Sequence, residues 1–553
     1  EISLETLAVD NLTVGLTGGA FIQDLESDAV AFEGLFGTMI ITAVLILIVL
    51  IIFLGSLKLP LLSLYPLFLG AIIASGFAYV IYGSINMFAV SFALLLLGLG
   101  IDFAVHLIVR YQEEKNEKSK SEAVKIAFQS TGTSIAIGGI TTGFAFAAFT
   151  FAKFKAFEQM GIISAIGIIC LLIVMLLLIP AIISVFDNKE SKKPLFNSIP
   201  GVVKIVRTME RNPFIILVAM ILMLVGGFFS IRNFELETSI DAIYPDNIPS
   251  LQWVDIIEEE FDYSTKTIST YADSYEDLIT IQELLLERDD ISTVDSILNY
   301  VPSDMSEKTR IFEKLNTYLL SYGISAFSEY TIREMTMNDF PSEIKDKYVG
   351  TSGKLRVDIN SNIDIYNLEQ YEQLSAGIQS ITGKKPIGIP AMMNEISTIV
   401  EDDILRISLI CLISVFILSL LLFKSVKTAI VTMIPLSMTL YFTIALLPIL
   451  NIEVNIFSIA AFPLIIGISV DSVIHLLHRL KENDGNTVAV KTSRTGKAIL
   501  LTTLTTVIGF GSLSQINHPG MANLGLTVVV GMIVSYLFTI LLTPLLFSKI
   551  LEK

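Results

Sequence analysis

Residues 94–110 read LLLLGLGIDFAVHLIVR. Up to its closing Arg110 the run is apolar except for Asp102 and, one helical turn later, His106. At spacing i, i+4 the two side chains share one face of a helix. A carboxylate at membrane depth costs on the order of 2.5 to 3.5 kcal/mol even on permissive insertion scales, so it faces an interior cavity and marks a functional position.

The same costly arrangement occurs a second time. The segment 101-IDFAVHLIVRYQEE aligns with 470-VDSVIHLLHRLKEN, which pairs Asp102 with Asp471 and His106 with His475. The register extends outward: Pro66 falls against Pro435, Thr141 and Thr142 against Thr505 and Thr506, Gly161 against Gly525, and Pro180 against Pro544. Even 13-TVGLTGGAFIQDLESDAV has a counterpart in 385-KPIGIPAMMNEISTIVED. We read the chain as two copies of one unit.

Composition agrees with a polytopic membrane protein: 53% of residues are hydrophobic, 16% are charged, and mean hydropathy is +0.69. About 20 apolar residues cross a bilayer. On that measure eleven spans are expected, near 36–56, 61–82, 86–109, 130–152, 158–186, 213–231, 404–423, 428–450, 455–478, 497–515 and 521–548. Loops on one side are rich in Lys and Arg, among them Arg110, Lys115, Lys118, Lys120, Lys192, Lys193, Arg479 and Arg494. By the positive-inside rule they are cytoplasmic, as is the C-terminus, in a cytoplasmic (inner) membrane. The first spans of both copies after their external segments, 36–56 and 404–423, then enter from the same side, so the repeats are parallel. The first copy lacks a leading span like 213–231, and the chain begins with Glu1. We therefore expect an intact protein of twelve spans, six per repeat, with two external domains. The expected divisions are a stub of a first external domain (1–35), five spans of repeat one (36–186), a cytoplasmic linker with an amphipathic helix near 197–211 (187–212), span seven (213–232), an external domain (233–403), and five spans of repeat two (404–549).

The net charge of -17 belongs to the external domain, since residues 233–403 hold 33 acidic and 12 basic side chains. Such a surface disfavours nucleic acid and anionic head groups as partners. Its pattern is strand 266–272, helix 275–288, strand 292–298, a helical stretch near 306–340, strand 353–359, helix 365–382 and strand 385–389, which suggests a split α/β, ferredoxin-like sandwich. Cys170 and Cys411 lie inside apolar runs and serve packing; no disulfide, metal site or cofactor is expected.

The pseudo-symmetry would bring Asp102, His106, Asp471 and His475 together near the axis, where they would titrate as a coupled set. Such a set can take up and release protons as helix shifts change its hydration, and we read it as a proton relay. Ser472 is a possible hydrogen-bond donor to Asp102. The hydroxyls of Thr141, Thr142, Thr505 and Thr506 are candidate extensions, although threonine in membrane helices also serves helix packing. Gly98, Gly100, Gly138, Gly139, Gly143 and Gly467 are read as close-packing sites. His478 at the water boundary and His518 in an external loop are read as inert.

With a parallel duplication, a large external domain and GLGID/GISVD on the fourth and tenth spans, the chain resembles the resistance-nodulation-division superfamily. It is most similar to the hydrophobe/amphiphile efflux branch that includes hopanoid transporters and the mycobacterial large membrane proteins. The stretch 235-ELETSIDAIYPDNIPSLQWVDIIEEEF resembles the opening of that branch's external domain. The resemblance implies proton-driven export of lipids or other hydrophobic and amphiphilic molecules, with Asp102 and Asp471 carrying the protons. It leaves room for a periplasmic lipid carrier and for a homo-oligomer. Where that branch commonly follows each aspartate with tyrosine, this chain has Phe103 and Ser472, so an Asp–Tyr pairing across the halves is not available. No intramembrane lysine stands beside Asp471, which separates the chain from the drug-efflux trimers.

Three other functions compete. Intramembrane aspartyl proteolysis needs the acid directly after G-x-G; Ile101 intervenes here and the second copy reads GISVD, so an enzyme is not expected. A sterol- or lipid-sensing protein would use the same five-span block for binding without proton flux. A protein-translocation accessory role, as in another branch of the superfamily, is the third.

Overall fold

The computed structural model describes residues 20–83, 87–115, 118–187, 201–234, 236–237, 248–261, 267–301, 305–324, 339–363, 365, 367–482 and 485–551. Most of the expected stub, the linker at 188–200, the motif at 238–247 and the centre of the predicted helical stretch, 325–338, lie outside the described residues. The chain separates into two units, residues 249–395 and residues 21–248 with 396–553.

Each apolar run of the larger unit forms a helix. In chain order these are α1 (Ala20–Leu54), α2 (Lys58–Tyr82), α3 (Met87–Lys115), the short α4 (Lys120–Ile126), α5 (Gly132–Ala147), α6 (Lys155–Phe186), α7 (Val202–Arg211) and α8 (Pro213–Ile231). Strand β1 (Leu236–Glu237) follows α8. The smaller unit then contributes α9 (Pro249–Phe261), β2 (Thr267–Ala272), α10 (Tyr275–Leu286), β3 (Ile291–Ser296), α11 (Met305–Ser321), α12 (Ser342–Tyr348), β4 (Leu355–Ser361) and α13 (Leu368–Thr382). The chain returns to the larger unit along α14 (Ile389–Phe423), α15 (Val426–Ile449), β5 (Val454–Asn455), α16 (Ala461–Lys481), α17 (Val488–Gly511) and α18 (Pro519–Leu546).

Among the described residues, ten helical segments are long and apolar enough to cross a membrane. Helix α3, 29 residues long, occupies the place of the predicted span 86–109. Between α4 and α5 the helix is continuous but widens into a π-helical turn, Ala127–Thr131.

Helix pairings recur in the two halves of the larger unit. Helices α2, α3 and α5 pack on α6, as α15, α16 and α17 pack on α18. Across the halves α3 packs on α17, and α16 packs on α5. The close crossings use small residues: Gly98 of α3 lies against the backbone of Thr505, Thr506 and Gly509, and Gly467 of α16 lies against Ala145. Interhelical approach at glycine is the usual solution where lipid offers no hydrophobic drive to pack helices together. The result is that α16 is buried over nearly its whole length.

Two boundaries differ from expectation. Helix α14 begins fifteen residues before the predicted span at 404, because a buried stripe of Pro390, Ser397, Val400 and Ile404 continues the helical period through polar sequence. The predicted strand 385–389 is reduced to one antiparallel bridge, Ile387 to Ser269. Strand β4 pairs antiparallel with both β2 and β3, so the order within the smaller unit is Ile387, β2, β4, β3. Its core is formed by Leu278, Ile281 and Leu285 of α10 and Leu374 and Ile378 of α13 packed against Ile268, Val357 and Ile359. Ser274 and Asn367 cap the first turns of α10 and α13, as their residue types favour.

Candidate functional site

The acids predicted to meet do line one space. Asp102 of α3 and Asp471 of α16 border a cavity of about 20 Å³, together with Ser472, Thr142, Thr502 and the apolar walls Leu99, Phe103, Ile168 and Ile468. That volume holds about one water. Asp102 is only 7% exposed.

The two carboxylates are held differently. Thr505 donates to Asp102 Oδ1 at 2.8 Å and Thr506 donates to Asp102 Oδ2 at 3.3 Å, both hydroxyls reaching from α17 across the boundary between halves. The corresponding threonines of the first half do not repeat this. Thr141 donates to the carbonyl of Ile137 in its own helix at 2.8 Å, and Thr142 donates to the carbonyl of Gly467 at 3.1 Å. Asp471 instead projects into room left by Gly138: a Cβ placed there would meet Asp471 Oδ1 at 1.6 Å. In the register that aligns Thr141 with Thr505, Gly138 stands where the second half has Thr502.

His106 and His475 are stacked, with ring centroids 4.2 Å apart and planes 13° from parallel. His475 Nε2 lies 3.3 Å from Asp471 Oδ1. The symmetry axis inferred from the repeat therefore has a histidine pair across it, while the two acids around it are inequivalent. Beyond the rings a second cavity, of about 60 Å³, is lined by His106, His475, Ser130, Thr131, Arg110, Glu113, His478, Arg479, Glu482 and Arg494. Ser130 and Thr131 belong to the π-helical turn, a distortion often found at functional positions. Arg110 pairs with Glu114 at 2.8 Å, and Arg479 pairs with Glu482.

Ser472 lines the acid cavity, but the hydroxyls bonded to Asp102 are those of Thr505 and Thr506. Gly138, read from sequence as a packing glycine, is a cradle for a carboxylate; its exchange for threonine in the other repeat was the available signal. His518 lies in the connection before α18 and is buried: it packs edge-on to Phe457 and accepts at Nδ1 from Met521 N–H at the start of α18. The charged cluster around the second cavity was visible only as positive loop ends, because its acidic members lie on helix ends.

A family model described as the MMPL family matches residues 2–213 and 385–550, which include both acid-bearing helices and the four threonines. The chain belongs to the MMPL family. MMPL proteins are membrane transporters of the resistance-nodulation-division superfamily and not enzymes. This MMPL chain is 20% identical to a protein named hopanoid transporter HpnN from Burkholderia multivorans, over 97% of the chain and 69% of that relative. It is also 20% identical to HpnN of Rhodopseudomonas palustris, over 97% of the chain and 70% of the relative. Higher identity, 32%, links 34% of the chain to 17% of the probable transport protein MmpL12 of Mycobacterium tuberculosis. In fold, the MMPL chain is similar to SecDF, a translocon-associated membrane protein from Thermus thermophilus, with a TM-score of 0.59 at 14% identity. That match covers 95% of this chain and 63% of SecDF.

Proposed function

We propose that the protein is a proton-driven secondary transporter that exports lipids or other hydrophobic or amphiphilic molecules from the cytoplasmic membrane, with Asp102 and Asp471 as the proton carriers. The observation that carries this reading is the shared cavity bordered by Asp102 of α3 and Asp471 of α16. Protonation there removes a charge whose burial is costly. A change in that cost with helix position is what couples proton movement to rearrangement of the halves. His106 and His475 lie between the acid cavity and the second polar cavity, and in this reading they connect the acids to the cytoplasm. Thr505 and Thr506 hold Asp102, and Ser472 completes the wall. The choice of an amphiphilic cargo is supported by the hopanoid transporters among the relatives.

The energetics suffice. At a driving force of roughly 150 mV one proton supplies about 3.5 kcal/mol, which corresponds to roughly a 300-fold gradient. The test is reconstitution of the full chain in liposomes, with proton flux and movement of a labelled amphiphile both followed under an imposed pH gradient. Coupled flux of the two is expected. Undiminished transport by both Asp102→Asn and Asp471→Asn would refute the relay.

A further inference from the structure

We propose that His106, His475 and Asp471 form a binding site for a divalent first-row transition-metal ion of the zinc class, clamped between the two halves of the transmembrane bundle. One nitrogen from each imidazole and one carboxylate oxygen lie within 4.8 Å of one another. His106 is supplied by α3, whereas Asp471 and His475 are one turn apart on α16. Two imidazoles and a carboxylate are the three-ligand set that zinc accepts while leaving a fourth position for water. The nitrogen donors select against magnesium and calcium, which take oxygen ligands.

A second observation points to a ligand. Asp471 Oδ1 and His475 Nε2 are buried and face each other at 3.3 Å without a well-aligned hydrogen bond. Buried polar atoms with poorly made hydrogen bonds are rare, and an ion bound by both would use them. Gly138 leaves room for Asp471 Oδ1, the oxygen that faces His475. A tetrahedral ion with bonds of about 2.1 Å holds its donors about 3.4 Å apart, so the three donors close by little more than about 1 Å around it. Rotation of the imidazoles out of their stack and a slight approach of α3 to α16 supply that movement.

Access runs through the 60 Å³ cavity that opens on both rings. Its charged lining is Arg110, Glu113, His478, Arg479, Glu482 and Arg494. Two of the three arginines are paired with glutamates, Arg110 with Glu113 and Glu114 and Arg479 with Glu482, which reduces the barrier to a cation. A bound ion joins α3 to α16 and so fixes the halves relative to each other. The site goes beyond the transport reading, and binding is measurable whether or not protons drive transport.

The experiment titrates Co²⁺ into the metal-free, purified full chain in detergent and follows the visible d–d absorption, with Zn²⁺ as competitor. One Co²⁺ per chain, displaced by Zn²⁺, is expected. His106→Ala and His475→Ala should each weaken binding at least about tenfold, the least that loss of even an outer-shell partner costs. His518→Ala, which removes a histidine outside the site and leaves the three donors in place, should bind as the parent does. His106→Gln and His475→Gln, checked by circular dichroism and thermal melting, separate loss of a ligand from loss of fold. X-ray absorption of the Zn²⁺ form should report two imidazole ligands. Absence of saturable binding, binding that survives both alanine variants, or a spectrum with fewer than two imidazoles would overturn the site.

Discussion

Thr505 Oγ1 lies 2.8 Å from Asp102 Oδ1 across the boundary between the two repeats, as near as it lies to the Thr502 carbonyl of its own helix, whereas its counterpart Thr141 donates to the Ile137 carbonyl of its own helix. The two acids of a duplicated sequence are therefore not duplicated in environment. If Asp102 alternates between protonated and ionised forms, the threonine hydroxyls stabilise it as acceptors or donors at both stages.

Thr505→Val preserves shape and removes that contact. A hydrogen bond to a group that carries charge contributes about 1.5 to 3 kcal/mol, so transport under a pH gradient should fall on the order of tenfold or more. Thr506→Val, at the longer 3.3 Å contact, should cost less. Thr141→Val should transport near the parental rate, because its hydroxyl serves the Ile137 carbonyl. Equal effects of Thr141→Val and Thr505→Val, measured in the same liposomes, would show that the asymmetry has no functional weight.

Asp102→Asn and Asp471→Asn keep volume while removing the titrating oxygen. Both chains should fold, since asparagine is nearly isosteric with aspartate and removes a charge whose burial is costly. Both should lose proton-coupled transport by two orders of magnitude or more, about 3 kcal/mol on the barrier scale. Thermal melting of each variant beside its flux assay distinguishes a lost proton site from a lost fold.

Gly138→Ala tests whether the position of Asp471 matters. The added Cβ would fall 1.6 Å from Asp471 Oδ1, so the carboxylate has to rotate away from His475. Helix propensity favours alanine over glycine by about 1 kcal/mol, and the displaced group is the end of a rotatable side chain. Melting should therefore stay within about 1 kcal/mol of the parent while transport drops sharply. Gly143→Ala is the matched control: its Cβ meets the tip of Ile169 at 3.2 Å, away from either acid. If Gly138→Ala transports as well as Gly143→Ala, the cradle is only packing.

The membrane helices and the acid pair were legible because each rests on a strong one-dimensional signal. Apolar runs of span length have few alternatives, and a buried aspartate repeated in register is too costly to be incidental. What the sequence could not show depends on partners distant in the chain. The threonines that hold Asp102 lie about 400 residues away, and the preference of Asp471 for the histidine side turns on a single missing methyl group at Gly138. The parallel pairing of Leu236 with Val454 and of Glu237 with Asn455 is two residues long, too short to carry a period. The helical stretch before 404 was read as domain because its polar face hid the buried stripe on the other side.

Asp403, at the end of that hidden stripe, supplies the last prediction. Its side chain is fully buried; Oδ2 accepts from the backbone N–H of Phe154 at 2.8 Å, and Oδ1 is paired with Arg406. Phe154 is the residue that precedes the first turn of α6, and its own side chain offers no cap, so a carboxylate from α14 does the capping in trans. A negative group at a helix N-terminus also complements the helix dipole. Loss of a cap costs about 1 kcal/mol, and Arg406, roughly a third exposed, recovers water when its partner is gone. Asp403→Ala should therefore lower stability by about 1 to 2 kcal/mol and loosen the start of α6 without touching the acid cavity. Hydrogen exchange of the 155–160 amides should rise in step with the loss of melting temperature, and transport per folded molecule should be retained. Unchanged exchange at those amides would mean that α6 is secured by packing alone.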